Sequence, residues 1–390
     1  MGPASAALRS SPIGPSRLSL LVRHAPRRSQ SSSTRRPKTA IFFPGQGTQK
    51  VGMLTPLLES FPGTVNPLLE LLDATIPPAD SYPPLSQIIA SGPGPVLTET
   101  ENAQPAIMFT SIVILEILRK HFNFDPSRSA DFFLGHSLGE FTALIAAGVL
   151  TLPDALRLVR TRGEVMRDCA RRASVPEMEG GPGETGMVAL LIRPKLQESV
   201  MQKVTDFIHS ETLPNDEFLS IANINSSTQI VLSGHVKAIN TCIGHLRQFS
   251  GHDPRAIRLN VSAPFHSSIM APSVRTVKEM MKGMAVNFPP HGEIISNVTA
   301  RPFESAKEIR ELLALQSTAT VKWYQSIKYL DDERDVARWI GIGPGRVGKN
   351  LVGKEVRGGM SRVIGVEGVD AASLEVAAKL LERSEEEDVE

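Results

Sequence analysis

Cysteine is nearly absent from this chain of 390 residues, which contains only Cys169 and Cys242. Two cysteines cannot form a disulfide framework, and their positions do not match the spacing of metal ligands. Long apolar runs are also missing, since no stretch approaches the roughly 20 apolar residues that a membrane-spanning helix needs. We therefore expect no structural disulfide, no metal site and no membrane span.

The N-terminal segment lacks acidic residues, and the first Asp or Glu in the chain is Glu59. Residues 1–36 contain seven arginines and many serines. A segment rich in Arg and Ser and poor in acid is typical of a transit peptide, whereas the short apolar stretch at 18–22 does not suit a secretory signal. We predict a mitochondrial transit peptide over 1–36 and a protein of the mitochondrial matrix, with a disordered basic arm as the alternative.

The charges of the whole chain are nearly balanced, with a formal net charge of +1. Such a chain lacks the basic excess of nucleic-acid-binding proteins, so we predict no nucleic-acid partner. Acidic residues collect at the C-terminus in the stretch "SEEEDVE". Residues 373–390 are therefore predicted to contain the end of a helix and a solvated, disordered acidic tail.

Strand and helix patterns alternate along the first half of the chain. A strand at 40–43 is followed by helical patterns at 54–73 and 103–121. The stretch 131–150 has the pattern of a short apolar strand, a tight turn and a helix. This alternation indicates a parallel sheet covered by helices.

A different order of elements interrupts this alternation between residues 187 and 258. The patterns there follow the order β-α-β-β-α-β, which is the ferredoxin-like arrangement. The α/β alternation resumes afterwards. We therefore predict an α/β fold in which 38–186 and 259–372 form a large, discontinuous α/β-hydrolase-like domain with a parallel sheet, and 187–258 form an inserted ferredoxin-like subdomain.

The turn in "DFFLGHSLGEFTALIAAGVL" places Ser137 between two glycines. A serine at a strand-to-helix turn in the pattern G-x-S-x-G is the sequence form of a nucleophile elbow. Ser137 and Glu140 also fit S-x-x-E, a capping box that would need no catalytic role. The two interpretations predict different partners for the serine hydroxyl.

A serine nucleophile needs a base, and His266 is the best candidate among the nine histidines. It lies in "SAPFHSSIM", a proline-containing turn bordered by small residues. A loop histidine is most often simply exposed. His136 adjoins Ser137, but we expect its side chain to point away, towards the core.

A glycine-rich stretch near the C-terminus, "GPGRVGKN", resembles two nucleotide-binding motifs. Gly343 to Asn350 nearly match a P-loop, and Gly343, Gly345 and Gly348 match G-x-G-x-x-G. Asn350 replaces the hydroxyl that would bind Mg²⁺, and too little chain follows for a nucleotide domain. A tight turn that closes the sheet is the better interpretation.

Six motifs taken together resemble those of the malonyl-CoA:acyl-carrier-protein transacylases, a family that includes the acyltransferase domains of fatty-acid and polyketide synthases. They occur in the family's order between about residues 38 and 366: "FPGQGTQKVGM", "GHSLGEFTAL", "TRGEVM", "APFH", "SNVTAR" and "GPGRVGKNL". Among known types, the chain looks like the discrete mitochondrial enzyme.

The resemblance implies a catalytic pair and its surroundings. Ser137 corresponds to the acyl-accepting nucleophile and His266 to its general base. The family orients this histidine with a backbone carbonyl, which corresponds to Gln316, seven residues before Trp323. This role would not depend on the Gln316 side chain.

The resemblance also implies a set of binding groups. The backbone N–H groups of Gln46 and Leu138 correspond to the oxyanion hole. Arg162 corresponds to the arginine that binds the free malonyl carboxylate, a task that suits a planar guanidinium. Asn223 and Asn225 correspond to asparagines near the thioester arm. The chain departs from the family in its longer 173–186 loop and in Pro264, where many malonyl-selective domains have alanine.

We therefore expect a monomeric acyltransferase that works by a ping-pong route. Its partners would be malonyl-CoA and the phosphopantetheine thiol of acyl carrier protein, and it would need no metal or other cofactor. A serine esterase or thioesterase of the α/β-hydrolase type is the alternative. Such an enzyme needs an acid between serine and histidine in the chain, and Asp253 is the nearest in sequence.

Overall fold

The strands of the protein fall into two separate sheets. The computed structural model describes residues 36–78, 82–249, 251–368 and 370–386. The strands in these ranges are β1 (Thr39–Phe43), β2 (Phe132–Gly135), β3 (Thr185–Leu191), β4 (Leu219–Ser226), β5 (Gln229–His235), β6 (Arg255–Arg258), β7 (Glu293–Ile294), β8 (Arg338–Ile342) and β9 (Val363–Val366).

Helices connect these strands and cover both sheets. They are α1 (Thr55–Ser60), α2 (Pro62–Thr75), α3 (Leu85–Ser91), α4 (Gly94–Thr98), α5 (Thr100–His121), α6 (Pro126–Ser129), α7 (Leu138–Ala146), α8 (Leu152–Ala173), α9 (Gln197–Ile208), α10 (Val236–Phe249), α11 (Ala271–Lys282), α12 (Ala306–Leu315), α13 (Trp323–Lys328), α14 (Val347–Glu355) and α15 (Ala371–Glu386). None of the helices in the described ranges is long and apolar enough to span a membrane.

The larger sheet is parallel and has the strand order β7-β2-β1-β8-β9. Its central strand, β1, is buried on both faces. Ile41 and Phe43 belong to the core on one face, whereas Ala40 and Phe42 pack on the other face. A strand that buries both faces has a continuous apolar sequence, which is the pattern of "TAIFF". The predicted parallel sheet is confirmed.

The smaller sheet is antiparallel and has the strand order β4-β5-β3-β6. With its two helices it follows the β-α-β-β-α-β order, so the predicted ferredoxin-like insertion is also confirmed. One face is covered by α9 and α10, through residues such as Val204 and Ile239. The other face packs Met187 and Val231 against Met166 of α8 and against Phe265.

The two sheets are connected beside the carboxyl ends of the parallel strands. Ile224 N donates to Val321 O, and Val321 N donates to Ala222 O, so residue 321 extends the small sheet beyond β4. Lys322 N donates to the Asn297 carbonyl of the larger sheet's loop. This segment fixes the small sheet beside the elbow that follows β2.

Some details differ from the sequence predictions. The helical pattern at 54–73 is two helices, because Pro62 begins a new helix where its missing N–H costs nothing. Helix α15 continues to Glu386, so the acidic tail is partly helical, and residues 387–390 lie outside the described ranges. The predicted transit peptide also lies outside them, except for Arg36, which forms an ion pair with Asp131.

Candidate active site

The turn between β2 and α7 has the shape of an elbow. Ser137 lies at its apex with φ 52° and ψ −106°, a conformation that side chains other than glycine rarely adopt. A Cβ atom at Gly135 would clash with the backbone of Gly139. A Cβ atom at Gly139 would clash with the backbone carbonyl of Phe43 in β1. Both glycines of G-x-S-x-G are therefore required by close packing.

The Ser137 hydroxyl contacts a histidine and does not cap the helix. Its Oγ lies 2.7 Å from Nε2 of His266, and it makes no capping hydrogen bond to α7. The capping-box interpretation is therefore wrong for Ser137. Glu140 is buried and accepts a hydrogen bond from the Asn297 N–H instead.

His266 is buried and held in one orientation. Its Nδ1 lies 2.8 Å from the backbone carbonyl of Gln316, which can only accept a hydrogen bond. Nδ1 therefore carries the proton, and Nε2 is left as an acceptor for the Ser137 hydroxyl. Burial, and next the positive charge of Arg162, lower the pKa of His266 to about 3, so the imidazole is neutral near pH 7.

The predicted oxyanion donors are the backbone N–H groups of Leu138, which follows Ser137 in the chain, and of Gln46, which lines the cavity. The N–H groups of Ser137 and Gly139 donate to Asn297 Oδ1 and to His136 O. Leu138, between them, begins α7, and its N–H has no intrahelical partner. Gln46 lines the same cavity in the turn after β1, and its Oε1 accepts a hydrogen bond from Thr100.

A cavity of about 390 Å³ opens at the elbow, between the two sheets. Its lining includes five of the predicted residues: Gln46, Ser137, Asn223, Asn225 and His266. The lining is mixed, with Phe265, Leu259 and Val261 beside these polar groups. This size and composition suit an organic ligand with a few fixed polar groups.

His136 is among the residues that line this cavity, and its ring packs on a buried side chain, as expected for a histidine that points towards the core. Nε2 of His136 lies 2.8 Å from Oδ1 of Asn225, and the ring packs edge-on against Trp323. The pair joins the elbow to β4 of the small sheet. Burial lowers the pKa of His136, so the ring is neutral near pH 7.

Arg162 is a buried cation whose hydrogen-bonding partners are neutral. Its Nη1 donates to Gln104 Oε1 at 2.7 Å and its Nη2 to Gln316 Oε1 at 3.1 Å, while Nε has no partner among the described residues. Arg162 is not among the residues that line the cavity, and its guanidinium lies over the Phe141 ring. Burial lowers the pKa of Arg162 to about 10, so it remains charged near pH 7.

The Gln316 side chain connects the groups of this site, although its backbone alone was predicted to matter. Its Nε2 donates to the Ser137 carbonyl and to Glu140 Oε2, and its Oε1 accepts from Arg162. Burial raises the pKa of Glu140 to about 7, against the lowering effects of hydrogen bonds from Gln316 and Asn297 and of the Arg162 charge. One amide thus separates a buried carboxyl from a buried guanidinium.

Four residues of this site were missed as contributors: Gln104, His136, Glu140 and Asn297. Glu140 and His136 were visible in the elbow motif, but the sequence does not say where their side chains point. Asn297 lies in "SNVTAR", one of the six motifs, and could have been found there. Gln104 carries no sequence signal beyond its place in a helical pattern.

The structure places the residues on which the alternative interpretations depend. Asp253 is exposed and pairs with Arg247, so it does not support His266. The "GPGRVGKN" turn packs on Pro44 and Thr48, and its residues Val347 and Gly348 line the cavity beside Ser137. It therefore forms one wall of the site at the serine, and a small cavity of about 10 Å³ lies on its other side. In the described ranges, no group of three or more His, Cys, Asp or Glu side chains could hold a metal ion.

Comparison with known proteins agrees with this geometry. The sequence pattern described as the acyl transferase domain matches residues 41–328. The malonyl CoA-acyl carrier protein transacylase of Bacillus subtilis (strain 168) is 36% identical over 317 residues, which are 81% of this chain and 90% of that protein.

Solved structures show the same fold. The FabD protein of Acinetobacter baumannii is 28% identical, with a TM-score of 0.75 over 90% of this chain and all of that one. A malonyl-transacylase solved in complex with a type II PKS acyl-carrier protein is 28% identical, with a TM-score of 0.72 over 88% of this chain and 99% of that one. The elbow, the Ser137–His266 pair and these matches together show that the chain belongs to the acyl transferase family.

Proposed function

We propose that this protein transfers the malonyl group from malonyl-CoA to the phosphopantetheine thiol of acyl carrier protein, and so supplies fatty-acid synthesis. The names of its relatives support this substrate pair. One observation carries the proposal for this chain: a buried, charged Arg162 with neutral partners is joined through Gln316 to the Ser137–His266 pair. Such a guanidinium is suited to a donor that ends in a carboxylate.

The first half-reaction forms a malonyl-serine. Nε2 of His266 accepts the hydroxyl proton as Ser137 Oγ attacks the thioester carbonyl carbon. The carbonyl oxygen becomes an oxyanion, for which the Gln46 and Leu138 N–H groups are the proposed donors. The C–S bond then breaks, and the imidazolium returns the proton to the CoA sulfur.

The second half-reaction repeats these steps with a different thiol. His266 accepts the proton of the phosphopantetheine thiol, and the sulfur attacks the malonyl-serine ester. The C–O bond to Ser137 breaks, and the proton goes back to Oγ. The two amide side chains of Asn223 and Asn225 lie in the cavity lining and are proposed to bind the amide-containing arm that both thiols share.

Arg162 is proposed to bind the malonyl carboxylate. The two glutamine oxygens accept from only two of the five guanidinium N–H groups, so a carboxylate that reaches Arg162 can use the Nε–H and the remaining Nη–H groups. A carboxylate can accept two parallel N–H···O bonds from one guanidinium, which fixes its orientation as well as its position. Because two amides hold the guanidinium without neutralising it, its orientation is fixed before the substrate binds.

A serine esterase remains the second candidate for the reaction, with water as the acyl acceptor. The structure favours it less for two reasons. His266 is oriented by a carbonyl and not by an acid, and a hydrolase for neutral esters has no use for the buried charge of Arg162. The esterase would also release malonate in the absence of a carrier thiol.

The transfer assay separates these candidates. Malonyl-CoA labelled in the acyl group is mixed with the protein and with acyl carrier protein that carries phosphopantetheine. We expect labelled carrier protein, and no transfer to carrier protein without the arm, which is the matched control. Labelled free malonate without labelled carrier protein would support the esterase.

We also propose that the protein is a monomer of the mitochondrial matrix. The composition of residues 1–36 supports import. A fusion of residues 1–40 to a fluorescent protein should enter mitochondria, and the same fusion with its seven arginines replaced by glutamine should stay outside. A cytosolic signal from the first fusion would contradict the location. The molar mass of the mature protein, measured by light scattering, should be that of a single chain.

A further inference from the structure

Asn297 is buried against the nucleophile elbow, in the loop that follows β7. Its Oδ1 accepts a hydrogen bond from the Ser137 N–H at 2.7 Å, and its Nδ2 donates to the Gly135 carbonyl at 2.7 Å. These partners fix the orientation of the amide, because an N–H must face the oxygen and a carbonyl must face the nitrogen. One side chain therefore holds the backbone on both sides of His136.

The Asn297 backbone is anchored in turn. Its N–H donates to Glu140 Oε1 at 3.1 Å, and its carbonyl accepts from the Lys322 N–H at 2.9 Å. Glu140 is on the first turn of α7, so the loop is joined to the helix that starts at the elbow. Lys322 is on the segment that connects to the small sheet.

These bonds act on a backbone that would otherwise relax. Ser137 has φ 52°, and unfavourable conformations persist only where surrounding groups over-determine them. The two bonds from Asn297 end at the Gly135 carbonyl and at the N–H of this strained residue, whose carbonyl is held on the other side by Gln316 Nε2. Relaxation there would move Oγ relative to His266 Nε2, although neither group touches Asn297 itself.

We propose that Asn297 is the positioning residue that keeps Ser137 in its reactive conformation. It acts through the backbone and not through the substrate. This inference rests on the proposed function only in that Ser137 is the nucleophile. An amide is required because the site needs one acceptor and one donor on the same short side chain; a carboxylate supplies only the first.

The test compares Asn297→Ala and Asn297→Asp with the native protein. Asn297→Ala removes both bonds, and a displacement of about 1 Å at a reacting group can cost about 10²-fold in rate. We expect kcat for malonyl transfer to fall by about that factor, with KM within about threefold of the native value. Asn297→Asp has nearly the same shape and keeps the acceptor for Ser137, but loses the donor to Gly135. We expect kcat to fall by about tenfold or more, because the hydrogen bond between the amide and the Gly135 carbonyl becomes a repulsive contact between two oxygen atoms.

A reagent that reacts with the serine and carries no malonyl group gives a second measurement of Ser137 reactivity. Phenylmethylsulfonyl fluoride sulfonylates an activated serine, and the rate of Ser137 labelling is followed by mass spectrometry. Both Asn297 variants should label more slowly, in proportion to kcat. Asn287→Ala is the matched control, because it removes an exposed bond from Asn287 Nδ2 to Gly148 O, away from the site. It should label at the native rate.

The outcomes separate the possibilities. Native kcat and labelling rate in Asn297→Asp would overturn the proposal, even if Asn297→Ala does not fold. An equal loss of thermal stability and of rate in Asn287→Ala and Asn297→Ala would overturn it too, because the role would then be general stability. A native protein that labels at Ser137 but transfers no malonyl would contradict the proposed function and leave this inference standing.

Discussion

The backbone carbonyl of Gln316 accepts a hydrogen bond from Nδ1 of His266 at 2.8 Å. A carbonyl cannot donate, so this contact selects the tautomer whose Nε2 faces the Ser137 hydroxyl as a base. It also costs no buried negative charge, unlike the carboxylate of a Ser–His–Asp triad. Without that carboxylate, nothing opposes burial and the Arg162 charge strongly enough to keep the pKa of His266 near its usual value.

The first prediction concerns pH. A base works when it is neutral, and a lowered pKa extends its working range towards acid. With the pKa of His266 at about 3, kcat/KM for malonyl-CoA should change by less than about threefold between pH 8 and pH 5. A histidine with an ordinary pKa of about 6.5 would lose about 30-fold by pH 5. The measurement is an initial-rate profile over that range.

Glu140 provides the control for this profile, because burial raises the pKa of its carboxyl to about 7. A small inflection near pH 7 that disappears in Glu140→Gln belongs to Glu140. An acid limb near pH 6.5 that persists in Glu140→Gln would mean that His266 has an ordinary pKa, and the description of the base would be wrong.

The second prediction concerns the choice of acyl donor. Arg162→Ala leaves the malonyl carboxylate without its partner in a buried site. Losing one member of such a pair costs about 2–5 kcal/mol, which is about 30-fold to several thousand-fold. Malonyl transfer should fall by that factor, whereas acetyl transfer, poor in the native protein, should gain relative to it. The measurement is kcat/KM for malonyl-CoA and acetyl-CoA.

Arg157→Ala is the matched control for this prediction. Arg157 lies on the same helix, is exposed and pairs with Asp154, so its loss should leave both donors unaffected. If the malonyl-to-acetyl ratio of Arg162→Ala equals that of the native protein, Arg162 is a structural arginine.

The third prediction separates the two functions of Gln316. Substitution by alanine keeps the carbonyl that orients His266 but removes the amide that bonds Arg162, Glu140 and the Ser137 carbonyl. Asn297 still holds the Ser137 N–H in this variant. We expect KM for malonyl-CoA to rise by about tenfold, with Ser137 labelling by phenylmethylsulfonyl fluoride within about threefold of native. Gln316→Glu should impair malonyl transfer further, because its carboxylate would pair with Arg162. Native transfer by Gln316→Glu would contradict the view that Arg162 needs neutral partners.

The sequence was sufficient to predict the elbow and the order of the elements. G-x-S-x-G has local causes, since the glycines are needed where strand and helix backbones touch. The parallel sheet followed from the alternation of short apolar runs and amphipathic helices. Both are properties of segments shorter than about 25 residues, which a linear pattern can report.

The rest depends on contacts between segments that are far apart in sequence. Asn297 reaches Ser137 across 160 positions, and Gln316 reaches Arg162 across 154. No local pattern shows that Glu140 points at these residues and not at its own helix cap. The hydrogen-bonding partner of His136 could not be predicted for the same reason: Asn225 belongs to the inserted subdomain, whose position the sequence does not give.

The central claim is that Ser137 carries the malonyl group between two thiols. It is tested most directly by mixing the native protein with malonyl-CoA, without carrier protein, and analysing the peptides by mass spectrometry. We predict a malonyl adduct on the peptide that contains Ser137, its loss when phosphopantetheinylated carrier protein is added, and no adduct in Ser137→Ala. A malonyl adduct that persists in Ser137→Ala, or an adduct on a different peptide of the native protein, would contradict the account.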